Sequence, residues 1–191
     1  MKKIALLVSS LLLTTLSFHV FAQMDENAQK AWTAYMTPGD VHKMIAKYDG
    51  QWKEEVSWWM APGQEPSKST ATCTNTMILG GRYQQSMIKG DMMGMPFEGT
   101  GLLGYDNAQK LFYSTWVDNM GTGVMTMKGT WDDATKSINL TGSTVDPVSG
   151  KEMPVRETIS IIDDNTQLLQ MYTNGSDGKE FKTMEIKSTR M

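Results

Sequence analysis

From Gly50 onward, apolar and polar residues alternate with a period of two, and clusters of Asp, Asn, Gly and Pro break the alternation at short intervals. This pattern predicts half-buried β-strands joined by tight turns. It divides into ten runs: 51–60, 69–79, 82–91, 95–105, 111–119, 122–131, 136–145, 153–163, 167–174 and 180–190. The connections "APGQEP", "LGG", "YDNAQK", "WDDATK", "DPVSGK", "DDNT" and "NGSDGKE" carry the residues that turn a chain back on an antiparallel neighbour. No stretch between the runs reads as a crossover helix, which disfavours a parallel sheet. A meander of this size avoids exposed edges by closing on itself. The expected fold is all-β, a single antiparallel up-and-down barrel of about ten strands preceded by short N-terminal helices.

Ahead of the barrel the period lengthens. Residues 25 to 49 read as two short helices separated by Pro38 and Gly39, with Asp25 and Asp40 as N-caps and Gly50 ending the second. Val41, Met44, Ile45 and Tyr48 recur at helical spacing. Earlier still, Lys2 and Lys3 precede an apolar run from Ile4 to Val20 that ends in small residues at Ala22. That is the layout of a secretory signal peptide, and it predicts an exported protein, periplasmic or secreted, beginning near Gln23. The domain division expected is therefore 1–22 signal peptide, 23–49 helical segment and 50–191 barrel.

Strand alternation also assigns faces. In "WKEEVSWWM" the charges at Lys53 and Glu55 belong outside, so Trp52, Glu54, Val56, Trp58 and Met60 point inward. The threonine row 70, 72, 74 and 76 puts Ala71, Cys73, Asn75 and Met77 inside. By the same rule Met125, Met127, Trp131, Met184, Ile186 and Arg190 face the axis. The stretch "MMGMPFEGTGLLGYDNAQKLFYSTW" is unusual in placing several glycines within one strand. If Tyr105 pairs with Lys110, Gly99 faces Trp116, Gly101 faces Ser114 and Phe97 faces Asp118, so the glycines make room for a large indole. Phe97, Leu103, Phe112, Ser114, Trp116 and Asp118 then line the interior. Its polar groups are Arg82, Glu54 and Asp118, with Glu157 as a further candidate. The candidate ligand-binding set is Arg82, Phe97, Phe112, Trp116, Asp118, Met125, Met127 and Glu54.

Composition narrows the chemistry. Without Lys2 and Lys3, 16 basic residues face 21 acidic ones, a formal net charge of −5. Nucleic acid is therefore not an expected partner, and no stable membrane insertion is expected once the signal is cleaved. The single cysteine, Cys73, allows no internal disulfide and suits a small buried side chain. No catalytic residue stands out. A Ser or Cys triad needs a histidine base, and after signal removal only His42 remains, on a helix and expected to be solvated. "GTGLLG" lies within a strand rather than between a strand and a helix, so it is no phosphate loop. The 17 methionines are the anomaly. Met93/Met95 and Met125/Met127 are M-x-M pairs whose thioethers share a strand face, a soft donor set for Cu(I) if Cys73 and Met77 lie across the lumen.

"GQW" at 50–52, placed just after a helix, together with Arg190 near the end of the last strand, resembles the calycin pattern of lipocalins and fatty-acid-binding proteins. That likeness implies a first-strand Trp packed beneath a last-strand Arg at one end of the barrel. The blocks "GGRY", "MGMPFEGTGLLGYDN", "STWVDNMGTG", "DPVSGK" and "GKEFKTMEI" resemble the bacterial family called domain of unknown function 1579. The family implies a calycin-like barrel and brings no catalytic residues. Haem-binding barrels of the nitrobindin type are a more distant analogy. They ligate iron through His, which disfavours haem here, and no cofactor or dedicated metal site is expected.

The function these features favour is binding of a small, largely apolar ligand in the lumen. The alternatives are Cu(I) binding or buffering through the Met pairs, a structural or interaction protein with a filled barrel, and a weak enzyme using interior carboxylates. Outward Tyr113, Leu102 and Val117 leave room for a homo-oligomer.

Overall fold

The structure, a computed structural model, describes residues 25–175 and 177–191. The proposed signal peptide lies outside these residues. The chain divides into two compact units between Thr37 and Pro38. In the first unit, helix α1 (Glu26–Met36) is capped as expected, with Asp25 Oδ1 accepting from the Ala28 N–H at 2.8 Å. No α1 residue is buried. Among the described residues no helix is long and apolar enough to cross a membrane.

The second unit contains helix α2 (Asp40–Ala46) and ten strands: β1 (Gly50–Trp58), β2 (Ser67–Ile78), β3 (Tyr83–Met92), β4 (Met95–Asp106), β5 (Leu111–Asp118), β6 (Met125–Asp132), β7 (Ser137–Val145), β8 (Glu152–Asp163), β9 (Thr166–Asn174) and β10 (Glu180–Arg190). Each strand pairs antiparallel with its neighbours in sequence, and β1 pairs with β10 to close the barrel. All ten expected runs are present. Because α2 buries Ile45 in the barrel's own core, the helical segment expected over 23–49 is split between the two units. Asp40 is not a cap: Gly39 holds that position, and His42 Nδ1 accepts its N–H at 3.1 Å.

One register differs from expectation by two residues. Gly99 pairs with Asp118, Gly101 with Trp116, Leu103 with Ser114, and Tyr105 with Phe112. The reason is the β4–β5 turn. Asp106 Oδ1 accepts from the Ala108 and Gln109 N–H groups, and Lys110 takes a left-handed φ of 59°, so Lys110 stays in the turn and out of the ladder. Asp132, Ala134 and Lys136 build the β6–β7 turn in the same way. A shift of two preserves the faces, so the expected lining residues of β4 and β5 still point inward.

Alternation along the register sets the axis-facing residues of every strand. They are least exposed at one end, where Trp52 (1% exposed), Cys73, Gln84, Phe112, Ile138 and Leu140 are buried. Val56, Ile88, Trp116, Met125 and Met184, further toward the other end, are only half-buried.

Candidate functional site

The sealed end rests on the Trp52–Arg190 pair. The Arg190 guanidinium lies 4.4 Å from the Trp52 ring centroid. It donates to the carbonyls of Asp49 (2.8 Å), Lys47 (2.7 Å) and Asp164 (3.3 Å), and Trp52 Nε1 donates to the Tyr48 carbonyl at 3.0 Å. The expected closure of the first strand by an arginine from the last is thus present. Gly50 permits it: its φ is 124°, and a Cβ there would stand 3.1 Å from Arg190 Nη1. Buried amides complete the seal. Gln84 donates to the Ile45 carbonyl and Asp49 Oδ1, and Asn75 donates to the Tyr48 carbonyl, so the polar groups buried by α2 are satisfied.

His42 belongs to this end and is buried at 5% exposure, not solvated as expected. Its ring meets Tyr105 edge-on. Burial pushes its pKa down, partly opposed by a hydrogen bond to the Tyr105 backbone, while the positive charge of Arg82 adds to the lowering. A neutral imidazole suits its role as acceptor for the Gly39 N–H.

The opposite end is a mouth. Trp116 points inward across β4: a Cβ on Gly99 would come within 2.3 Å of its ring, and one on Gly101 within 3.4 Å. The indole therefore lies over both glycines even though the ladder pairs Trp116 with Gly101 alone. Phe97 stacks on it at 6.4 Å with a 17° interplanar angle. Trp116 Nε1 donates to Asp118 Oδ2 at 2.7 Å, and Asp118 Oδ1 accepts from the Met120 N–H, which fixes the ring beside the opening.

Between seal and mouth lie two buried carboxyls. Glu54, one inward position above Trp52, is 6% exposed, and its Oε2 has no hydrogen-bond partner among the described residues. Burial pushes its pKa up to about 7, tempered by the Cys73 thiol and the Ser188 hydroxyl. Glu157, flanked on its face by Val155 and Ile159, is 5% exposed, and burial alone pushes it up to about 7. Burial, and then the charge of Glu54, pushes Cys73 up to about 12, so this thiol stays protonated at neutral pH.

The expected site residues therefore separate. Phe97, Trp116 and Asp118 meet at the mouth, and Met125 is half-buried on the same inward face of β6 as Met127. Phe112 and Met127 are buried in the closing cluster with Ile45 and Leu140. Glu54 lies above the seal. Arg82 does not line the lumen: it is exposed in the β2–β3 turn, where Nη1 donates to the Leu79 carbonyl, because β3 begins only at Tyr83. Met60 is 75% exposed, since β1 ends at Trp58. Met93 does not share a strand face with Met95: Met93 and Gly94 form a two-residue turn, both at positive φ, and Met93 is 72% exposed. Cys73 packs with Tyr48 and Trp52, in a different cluster from Met77 and Met127. Met171, paired with Met184 and inward-facing, escaped the sequence reading because "TQLLQMYT" alternates poorly.

A ten-strand closed barrel sealed by a first-strand Trp and last-strand Arg is a calycin-like architecture. The chain belongs to the family described as Protein of unknown function (DUF1579), whose model matches residues 37–190. Its fold is similar to that in the crystal structure of Rv2717c from M. tuberculosis, with a TM-score of 0.60 and 13% identity over 81% of this chain and 99% of that one. No curated protein matches the chain.

Proposed function

We propose that the barrel binds a small, largely apolar ligand in its lumen, entering past Phe97 and Trp116. The observation that carries this reading is the half-buried state of inward-facing Val56, Ile88, Trp116, Met125, Met171, Met184 and Ile186. Side chains on the inside of a closed wall are partly exposed where the lumen or its mouth admits solvent, and apolar walls around such room favour an apolar occupant. A barrel filled by its own side chains would bury these positions. Export to the periplasm or beyond is part of the proposal and rests on the leading 22 residues. Native mass spectrometry of protein from its own compartment, followed by titration with the neutral dye N-phenylnaphthylamine, tests the reading. A co-purifying small molecule or saturable dye uptake is expected. Ligand-free protein that takes up no dye would contradict it.

A second reading has one observation in its favour. Met44, Met77, Met125 and Met171 pack against the cluster that contains Met127, so five thioethers border one cluster. Cu(I) favours such donors. The Cys73 thiol, protonated and packed elsewhere, does not strengthen the set. Competition for Cu(I) against a chromophoric chelator, repeated with Met125→Leu/Met127→Leu, separates the two: only copper binding through these sulfurs would be lost in the variant.

A further inference from the structure

We propose that the lumen selects an apolar amine, whose ammonium group is held by the carboxylate of Glu54. This rests on the lumen reading above and names the class of its ligand. Glu54 is the starting point. It is more than nine-tenths buried, faces the axis, and leaves Oε2 without a donor among the described residues. Glu157 also faces the axis, with Leu140 and Met171 as its ladder neighbours, but neither carboxyl perturbs the other, so Glu157 is a separate group and serves as the comparison. Buried carboxylates are ordinarily paired or hydrogen-bonded, because an isolated one costs several kcal/mol of lost hydration.

Among the described residues no basic side chain perturbs Glu54. The inward-facing residues of the ten strands, read from the ladders, include one basic side chain, Arg190. Its guanidinium is committed to the carbonyls of Lys47, Asp49 and Asp164 over Trp52. Lys182, the basic residue nearest the mouth end of β10, pairs outward with Glu185 and lies over Trp59. The lumen is therefore acidic with apolar walls. A fatty acid would bring a second negative charge beside this carboxyl, and a neutral alcohol would supply a donor without a charge. An ammonium group supplies both a donor for Glu54 Oε2 and the charge that favours its ionised form. The indole of Trp116 and the ring of Phe97 at the entrance offer faces that a cation also tolerates.

Calorimetric titration of the purified protein at neutral pH with octylamine, octanol and octanoate tests the assignment, alongside the neutral dye. Octylamine is expected to bind about tenfold or more tightly than octanol, and octanoate most weakly. Glu54→Gln, a near-isosteric change, should weaken octylamine about tenfold while leaving octanol within about twofold, and Glu157→Gln should leave octylamine within about twofold. Equal affinity for octylamine and octanol, or octylamine binding unchanged in Glu54→Gln, would overturn the amine assignment and leave the lumen reading standing. Tight octanoate binding would overturn it too. Failure of all three together with the dye would remove the lumen reading itself.

Discussion

The two ends of the barrel are built from the same alternating strands and do opposite things. At the sealed end the inward side chains are large and interlocked: Trp52 beneath Arg190, Phe112 against Tyr105, and Ile45 and His42 delivered by α2. Every buried amide there finds a partner. At the mouth Gly99 and Gly101 yield space to one indole, and the large inward side chains are only half-buried. The connections differ as well. Three of the four sealed-end turns carry Asp with Asn or Lys, the β2–β3 turn exposing Leu79, whereas mouth loops expose Met60, Met93, Met120, Val124 and Val148. The difference teaches that strand alternation fixes only which residues face the axis. Whether the axis is filled depends on their size and on what the preceding helix adds.

Breaking the seal should produce the largest effect. Trp52→Ala removes a fully buried ring and the platform for Arg190, and should cost about 3–5 kcal/mol in denaturant unfolding. The same truncation at half-buried Trp116 should cost less. Equal costs would erase the distinction between the ends.

Next comes pH. Glu54 and Glu157 have folded pKa values of about 7 against 4.5 for an unperturbed glutamate. Their native forms hold protons that the unfolded chain has released, so their contribution is present below pH 4.5 and is lost as pH rises toward 7. Each loss is on the order of 3 kcal/mol. Glu157→Gln should therefore match wild type near pH 4.5 and gain on it steadily toward pH 7 in equilibrium unfolding. A pH-independent difference would show that the carboxyl is paired or hydrated.

Gly99→Ala should follow. A methyl placed 2.3 Å from the Trp116 ring forces the indole to move, at about 1–3 kcal/mol, with a shift in tryptophan emission as the second readout. The smallest effect belongs to the mouth loops. Met93→Ser, in an exposed two-residue turn, should change stability by less than about 0.5 kcal/mol.

The ten strands were legible because a solvated outer face writes Lys, Glu and Thr at every second position, as in "STATCTNTM". The Trp52–Arg190 closure was legible from "GQW" and its match at the far end of the chain. The β4–β5 register was not, because the turn length depends on Asp106 accepting two backbone N–H groups and on Lys110 adopting a left-handed conformation. Arg82 and Met60 were misplaced for a related reason. Each lies just past a strand end, where alternation continues in the sequence but the ladder has stopped. His42 looked solvated because the packing of one short helix on a barrel end is a tertiary fact that a seven-residue pattern does not encode. Of the site, Glu54, Phe97, Trp116 and Asp118 were found by face assignment alone, and the sorting of lining residues between seal and lumen required coordinates.

The central claim is that the lumen has room for an apolar guest, and dye binding with a blocked lumen tests it most directly. Ser114 faces the axis, half-buried, opposite Met127 and Leu103. Wild-type protein should take up N-phenylnaphthylamine saturably with quenching of tryptophan emission, and Ser114→Trp should abolish uptake while the barrel remains folded. Uptake that persists undiminished in the folded Ser114→Trp variant, or its absence from wild type, would contradict the account.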